Sequence, residues 1–345
     1  MATNDEPRPP HHRAVIGSED NFWLYSSKTG FDLTHPAKPT DAPIQPRVTF
    51  QTTTKPITVD PAKTALVVID MQNFFLSPAF GRNVEGAGHK ALEQLTENAI
   101  PAAREAGIRV VWVNWGLTEK EVKTMPPAIK RAFGFEVVID DGEVNGVIPD
   151  GGKDGGDAVF KEQPNGVGVD KEGNPRHQGG HVVLENSKDG RIYTGLGSWC
   201  GMVKDPASEQ EIDAGKLLMR DQWNAALYPP LDEMYKEGTK LPSRPDVWIH
   251  KNRMSGLWGP GTELEEFLEK ESIRTLLFTG VNTDQCVGGT LQDAFSKGYD
   301  CVLLGDGAGT TSPEFAQQCL EFNSAKTYGF LASCEGFAEG VRSMS

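Results

Sequence analysis

Short, uninterrupted apolar runs recur along this chain, separated by amphipathic stretches of near-helical period. Residues 63–70, Lys-Thr-Ala-Leu-Val-Val-Ile-Asp, form the first run. It is β-branched, continuous and too short for a helix, the pattern of a strand buried on both faces. Residues 86–107 then predict a helix, with Leu92, Leu95, Ile100 and Ala103 near helical spacing. Gly107 suits its C-cap, and Pro101 marks a break or a new first turn. A second apolar strand follows at 108–114. Beyond the middle of the chain the alternation resumes: strand 246–250, helix 262–270, strand 274–279, helix 287–297, strand 301–304, helix 313–325. Thr262 and Glu265 match a capping box. Ser312 and Pro313 suit an N-cap and a first turn.

This alternation predicts an α/β fold with a mainly parallel sheet covered on both faces. In such sheets ligands bind beyond the carboxyl ends of the strands. Asp70, Asn114, Lys251 and Cys286 all stand at or just after such ends. Two segments depart from the pattern. Residues 1–60, rich in Pro, Thr and His, read as an irregular N-terminal arm, anchored in places by Trp23, Tyr25 and Phe31. Residues 61–345 read as one domain carrying a Gly-rich insertion at about 140–190, with small hairpins at Val182-Val-Leu and Arg191-Ile-Tyr. Long loops of this kind serve as lids, oligomer contacts or linkers.

Composition narrows the function classes. A formal charge of −14 argues against nucleic acid and against anionic membrane surfaces, because both need basic patches. No apolar run reaches the roughly 18 residues of a membrane span. Residues 1–13 are polar and Pro-rich, without an apolar signal core. The cysteines number five, widely spaced and without a CxxC pair. Free thiols in a reducing cytosol are the simplest reading, so a cytoplasmic location is expected.

One cysteine stands apart. The run Phe278-Thr-Gly-Val-Asn-Thr-Asp-Gln-Cys286-Val-Gly-Gly-Thr290 reads as strand, turn and helix, with the thiol at the helix entrance. Exposed N–H groups and the helix dipole there stabilise a thiolate and lower its pKa. The same place also suits a small buried hydrophobe. Asp70, closing its strand, is either a cap for the next loop or a site carboxylate. Lys251, after Val247-Trp-Ile-His250, is either solvent-facing or a site cation. Together the three form a set of acid–base group, cation and nucleophile on strand ends. The carboxylate can take the thiol proton and return it to a leaving amine, and the ammonium stabilises both anions.

Three blocks bring a family into view. Ala65-Leu-Val-Val-Ile-Asp-Met-Gln-Asn-Phe-Phe resembles the opening strand of the isochorismatase-like cysteine hydrolases, with its aspartate at Asp70. Lys251-Asn-Arg-Met-Ser-Gly with Gly261-Thr-Glu-Leu resembles their lysine block, and Phe278-Thr-Gly-Val-Asn-Thr-Asp-Gln-Cys-Val their cysteine block. The likeness runs over about residues 61–118 and 216–338. It implies a three-layer, Rossmann-like α/β/α fold and an Asp70–Lys251–Cys286 triad. It also implies a cis peptide at Val281–Asn282 and an oxyanion hole of the Asn282 and Cys286 backbone N–H groups. Asn282 stands where the family often has a small residue.

Branches of the superfamily can be weighed. Nicotinamidases carry an Asp-x-His-x-x-His metal cluster, whereas Val113-Asn-Trp-Gly-Leu-Thr118 holds no histidine. Isochorismatases proper do not use a cysteine nucleophile, so Cys286 favours amide cleavage. Trp112-Val-Asn-Trp, Gly215-Lys-Leu-Leu, Lys251-x-Arg-x-Ser-Gly and Pro313-Glu-Phe-Ala-Gln with Phe322-Asn resemble ureidoacrylate amidohydrolases and relatives acting on carbamoyl groups. The expected function is cysteine-dependent hydrolysis of a C–N bond in a small amide, ureido or carbamoyl compound through a thioester. No metal or organic cofactor is expected. The alternatives are a vinyl-ether or ester hydrolase, or a non-catalytic binding protein on the same fold. Phe75, Asn114, Trp115, Arg253 and Ser255 are candidate substrate contacts. The expected partner is a small molecule, and the resemblance implies a homo-oligomer.

Overall fold

The computed structural model describes residues 11–133, 136–138, 185–186, 191–193, 195–205 and 208–344. Along the chain the strands are β1 Arg13–Gly17, β2 Phe22–Ser26, β3 Gly30–Asp32, β4 Val48–Phe50, β5 Ile57–Val59, β6 Thr64–Ile69, β7 Arg109–Trp115 and β8 Glu136–Val138. They continue as β9 Glu185–Asn186, β10 Arg191–Tyr193, β11 Met202–Lys204, β12 Glu211–Asp213, β13 Val247–Lys251, β14 Thr275–Val281, β15 Asp300–Gly309 and β16 Gly329–Ala332. The centre is a six-stranded sheet in the order β13-β7-β6-β14-β15-β16. Every neighbouring pair in it is parallel.

Strand alternation splits the core into two layers. Val67, Ile69, Val111, Val113, Trp115, Ile249, Leu276 and Phe278 face one way, against Leu264 and Leu268 of the helix Glu263–Lys270 and Leu291 of the helix Gly288–Ser296. Leu66, Val68, Val110, Trp112, Leu277 and Val302 face the other way, against Leu92, Ile100, Leu231 and Phe337 on four further helices. This is a three-layer α/β/α architecture around a parallel sheet. The continuous apolar runs follow from it, because a strand covered on both faces has no polar side.

Two expectations need correction. Residues 1–60 are not irregular where described. β1 to β5 form a second sheet in the order β1-β2-β3-β5-β4. Its strands are three to five residues long, and β1 is exposed throughout, so no sustained alternation could appear in the sequence. Residues 86–107 are helical in three pieces rather than one, the helix Ala87–Gln94, a π-turn Leu95–Ala99 and the helix Ile100–Glu105, in whose first turn Pro101 stands as the sequence allowed. Pro101 has no N–H to offer, and the widened turn before it closes with an Ile100 N–H bond to the Leu95 carbonyl. Within the insertion, β10 covers Arg191-Ile-Tyr and pairs with β8 and β9, whereas 182–184 lies outside the described residues. Among the described residues no helix is long and apolar enough to cross a membrane.

The arm docks at the amino ends of the central strands, away from Cys286. Asp300, which opens β15, accepts hydrogen bonds from Trp23 Nε1 at 2.7 Å and Thr275 Oγ1 at 2.9 Å, and pairs with His35 Nε2 at 2.7 Å. Trp23 and Phe31 also stack on Phe330 of β16, with centroids 5.5 and 5.4 Å apart. Trp23→Phe keeps the stack and removes one donor to a buried carboxylate. It is expected to cost about 1.5–3 kcal/mol in denaturant unfolding and to leave the chemistry at the opposite strand ends unchanged.

Candidate active site

Asp70 follows β6 directly, and Lys251 ends β13. Cys286 sits in a π-turn, Thr283–Val287, that links β14 to the helix Gly288–Ser296. In the sheet order β13-β7-β6-β14, Lys251 lies two strands from Asp70. At about 4.8 Å per strand, only a long side chain spans that gap. Lys251 spans it by crossing Trp115, its register partner on β7. Its Nζ lies 3.9 Å from the centre of the indole. The ammonium then meets Asp70 Oδ2 at 2.9 Å, the Arg253 carbonyl at 3.1 Å and Cys286 Sγ at 3.5 Å.

Local backbone geometry aims these groups. Asp70 adopts φ +53°, a left-handed conformation uncommon for non-glycine residues though more open to Asp than to most. The turn brings Oδ1 to the Trp115 N–H at 3.1 Å. Oδ2 is paired with the ammonium but accepts no well-formed hydrogen bond. The carboxylate also lies within hydrogen-bonding reach of the Cys286 thiol. Gly280 has φ +110°, and a Cβ there would collide with the Ile69 carbonyl oxygen. Only glycine lets β14 run this close to β6 just before the cysteine turn. The Val281–Asn282 peptide is cis. The Asn282 carbonyl accepts the Gln285 and Val287 N–H groups, closing the turn that presents Cys286.

Burial governs the electrostatics. Asp70 is fully buried, and Lys251 and Cys286 are each only 4 % exposed. Desolvation pushes the Asp70 carboxyl above its ordinary value, although the Lys251 ammonium opposes this. Desolvation likewise pushes the Cys286 thiol up to about 12, against the pull of Lys251. A thiolate favoured by a helix end was expected. Here the sulfur is enclosed, with Met254 Sδ 3.5 Å away, and burial outweighs the helix end. The resting site is thus a neutral thiol beside an ion-paired carboxylate whose basicity is raised.

The candidate substrate contacts are dispersed. Trp115 touches the central trio. Asn114 is fully buried but alternates with Trp115, which places it on the Trp112 face, in register with His250. Arg253 donates to the Asn252 carbonyl and lies 4.7 Å over the Trp258 ring, so only its main chain reaches the site. Ser255 Oγ accepts the Leu257 N–H at 2.9 Å within its own loop. Phe75 is half-buried and packs between the two core layers. Asn282 turns its side chain towards Gln285 Oε1 at 3.5 Å.

Two residues escaped the sequence reading. Met254 packs on the sulfur from within the lysine block. Gln72, two residues after Asp70, donates from Nε2 to the carbonyls of Trp115 at 2.8 Å and Ala225 at 2.6 Å, and accepts the Trp115 N–H at 3.2 Å. It locks the β6 and β7 ends together. A buried glutamine beside a strand-end aspartate was the available signal. A cavity of about 630 Å³ lies beside Trp115, lined in part by Arg220, Trp223, Trp248, His250 and Glu263. Neither Asp70, Lys251 nor Cys286 opens into it. The candidate nucleophile lies with the trio, and the cavity offers shape beside it.

Residues 205–329 match the family model of the isochorismatase domain. Among solved structures, the chain is similar to a cysteine hydrolase from Pseudomonas syringae, with 15% identity, a TM-score of 0.47, and 87% of this chain and 99% of that one covered. It is also similar to an isochorismatase family protein from Desulfovibrio vulgaris, with 17% identity, a TM-score of 0.46, and 81% and 98% covered. A nicotinamidase from Staphylococcus aureus matches with 12% identity, a TM-score of 0.42, and 79% and 99% covered.

Proposed function

We propose that this protein is a cysteine amidohydrolase, cleaving a C–N bond of a small amide, ureido or carbamoyl compound. One observation carries the reading: a buried thiol, carboxylate and ammonium converge within hydrogen-bonding reach on neighbouring strand ends. The isochorismatase-domain match, which spans Lys251 and Cys286, supports it.

The steps follow from the groups present. Asp70 takes the thiol proton as the Cys286 sulfur attacks the amide carbonyl carbon. The oxyanion rests on the Asn282 and Cys286 backbone N–H groups. The C–N bond breaks, and the departing nitrogen receives the proton held by Asp70. Water then gives a proton to Asp70 and its oxygen to the thioester carbon. The C–S bond breaks, the acid leaves, and Asp70 returns the proton to the sulfur. Lys251 keeps Asp70 anionic at the start of each half-reaction and faces the sulfur as negative charge develops there.

Ammonia release from ureido acids, carbamoyl amino acids, biuret, nicotinamide and aryl amides tests the proposal. Release from one subset names the substrate class, and silence across the panel counts against amide chemistry. The pH profile has a fixed sign. Asp70 must be ionised to accept the proton, and its pKa is raised. Activity is therefore expected to fall on acidification at a pH above the ordinary carboxylate range, as kcat/KM against pH will read.

A further inference from the structure

Trp115 touches all three members of the trio, each through a different part of itself. Its main-chain N–H holds Asp70 Oδ1 at 3.1 Å. Its ring face lies under the Lys251 ammonium at 3.9 Å. Its indole N–H is buried with no hydrogen-bond acceptor in good geometry, and the ammonium lying over its ring stands 3.5 Å from Cys286 Sγ, which brings the indole near enough to that sulfur to favour its anion. A fully buried donor left unpaired costs about 1–3 kcal/mol. That cost disappears if the donor is used when charge forms. A neutral thiol is a weak acceptor, whereas a thiolate accepts a charge-assisted hydrogen bond.

We infer that Trp115 is the thiolate-stabilising and positioning residue of this site, its indole N–H held in reserve for the sulfur anion. This rests on the reading of Cys286 as the nucleophile. The ring face serves a second purpose by fixing the Lys251 chain along its path between β13 and Asp70. Trp115 is then part of the nucleophile's activation as well as a wall of the adjoining cavity. Placement supports this. Lys251 and Trp115 are register partners on adjacent strands, so their side chains share one face. Removing the indole N–H alone should make the thiolate harder to form without displacing the ammonium.

The test replaces Trp115 with benzothienylalanine, which exchanges the indole N–H for sulfur and keeps the ring shape. Trp115→Phe serves as a second variant. Alkylation of Cys286 by iodoacetamide is followed by peptide mass spectrometry across pH, with Cys286→Ala as the blank. Both variants are expected to show alkylation slowed about tenfold at fixed pH, equivalent to about one pKa unit, or 1.4 kcal/mol. The exposed thiol of Cys319 should react unchanged and provides the internal reference. An unchanged Cys286 rate in the benzothienylalanine protein overturns the inference. So does a wild-type Cys286 that resists the reagent throughout, because a site entered by a substrate amide must admit this small one. The two readings fail separately. Slowed alkylation with no ammonia from any substrate keeps the role of Trp115 and sinks the amidohydrolase. Full amide turnover with unchanged alkylation does the reverse.

Discussion

Cys286→Ala is expected to abolish ammonia release, lowering turnover by about 10⁴-fold or more, while the fold persists. The size of the loss follows from covalent catalysis. Without the sulfur no thioester forms, and residues that act as a unit lose nearly everything when one is removed. The fold persists because alanine occupies less space than cysteine in a buried turn whose hydrogen bonds are made by the main chain. The cavity left is that of one sulfur atom, worth about 1 kcal/mol. The competing reading, a small buried hydrophobe at a strand–helix junction, predicts the opposite, namely activity retained with the same slight loss of stability. Ammonia assays beside thermal unfolding separate the two. Cys286→Ser is expected to be nearly as inactive, because Asp70 cannot ionise a hydroxyl as readily as a thiol.

Lys251→Met is expected to be the most destabilising single change in the site, by about 3–5 kcal/mol, because it strands a buried carboxylate without its counter-ion. The methionine fills similar volume, so the loss reports charge rather than packing. Its pH dependence has a definite sign. Burial already raises the Asp70 pKa, and the charge of the Lys251 ammonium is the largest influence opposing that rise. Without the ammonium, the folded-state value moves further above the unfolded one. A carboxyl raised in this way contributes stability that is full below its unfolded pKa and lost as pH rises through its folded pKa. The variant should therefore be most stable in acid and weaken towards neutrality. Adding Asp70→Asn should restore much of the loss, since no charge then remains to bury. Denaturant unfolding of both variants across pH checks this. A pH-independent loss that Asp70→Asn fails to relieve would show that Lys251 acts through packing.

Much of this was legible before the fold was known, for a physical reason. Residues 64–69 had to be a strand because five consecutive apolar positions, Ala65 to Ile69, leave no polar face, and such a strand belongs inside a parallel sheet. The residue closing that strand then stands at the carboxyl end of the sheet. Asp70, Lys251 and Cys286 were identifiable by this position and by the blocks around them. The arm was illegible because its strands are too short for a period, and its stability comes from contacts with Asp300 and Phe330, which are far away in sequence. The substrate contacts were poorly legible because they depend on which way loop side chains turn. Arg253 follows Lys251 by two residues, yet its guanidinium leaves for Trp258.

The sequence by itself determined the strand–helix alternation, the sheet type and the three residues placed at its carboxyl ends, since these depend on local pattern and on chemistry held within short blocks. Only the tertiary structure decided the protonation of the site and the company each group keeps. A helix entrance read in isolation favours a thiolate, yet the folded chain encloses Cys286 and raises its pKa to about 12. A tryptophan at a strand end read as a substrate contact; it does line a cavity, and the order β13-β7-β6 also lays Lys251 across its ring. Burial and sheet order are properties of the whole chain, because each depends on residues far apart in sequence that meet only once the sheet has formed.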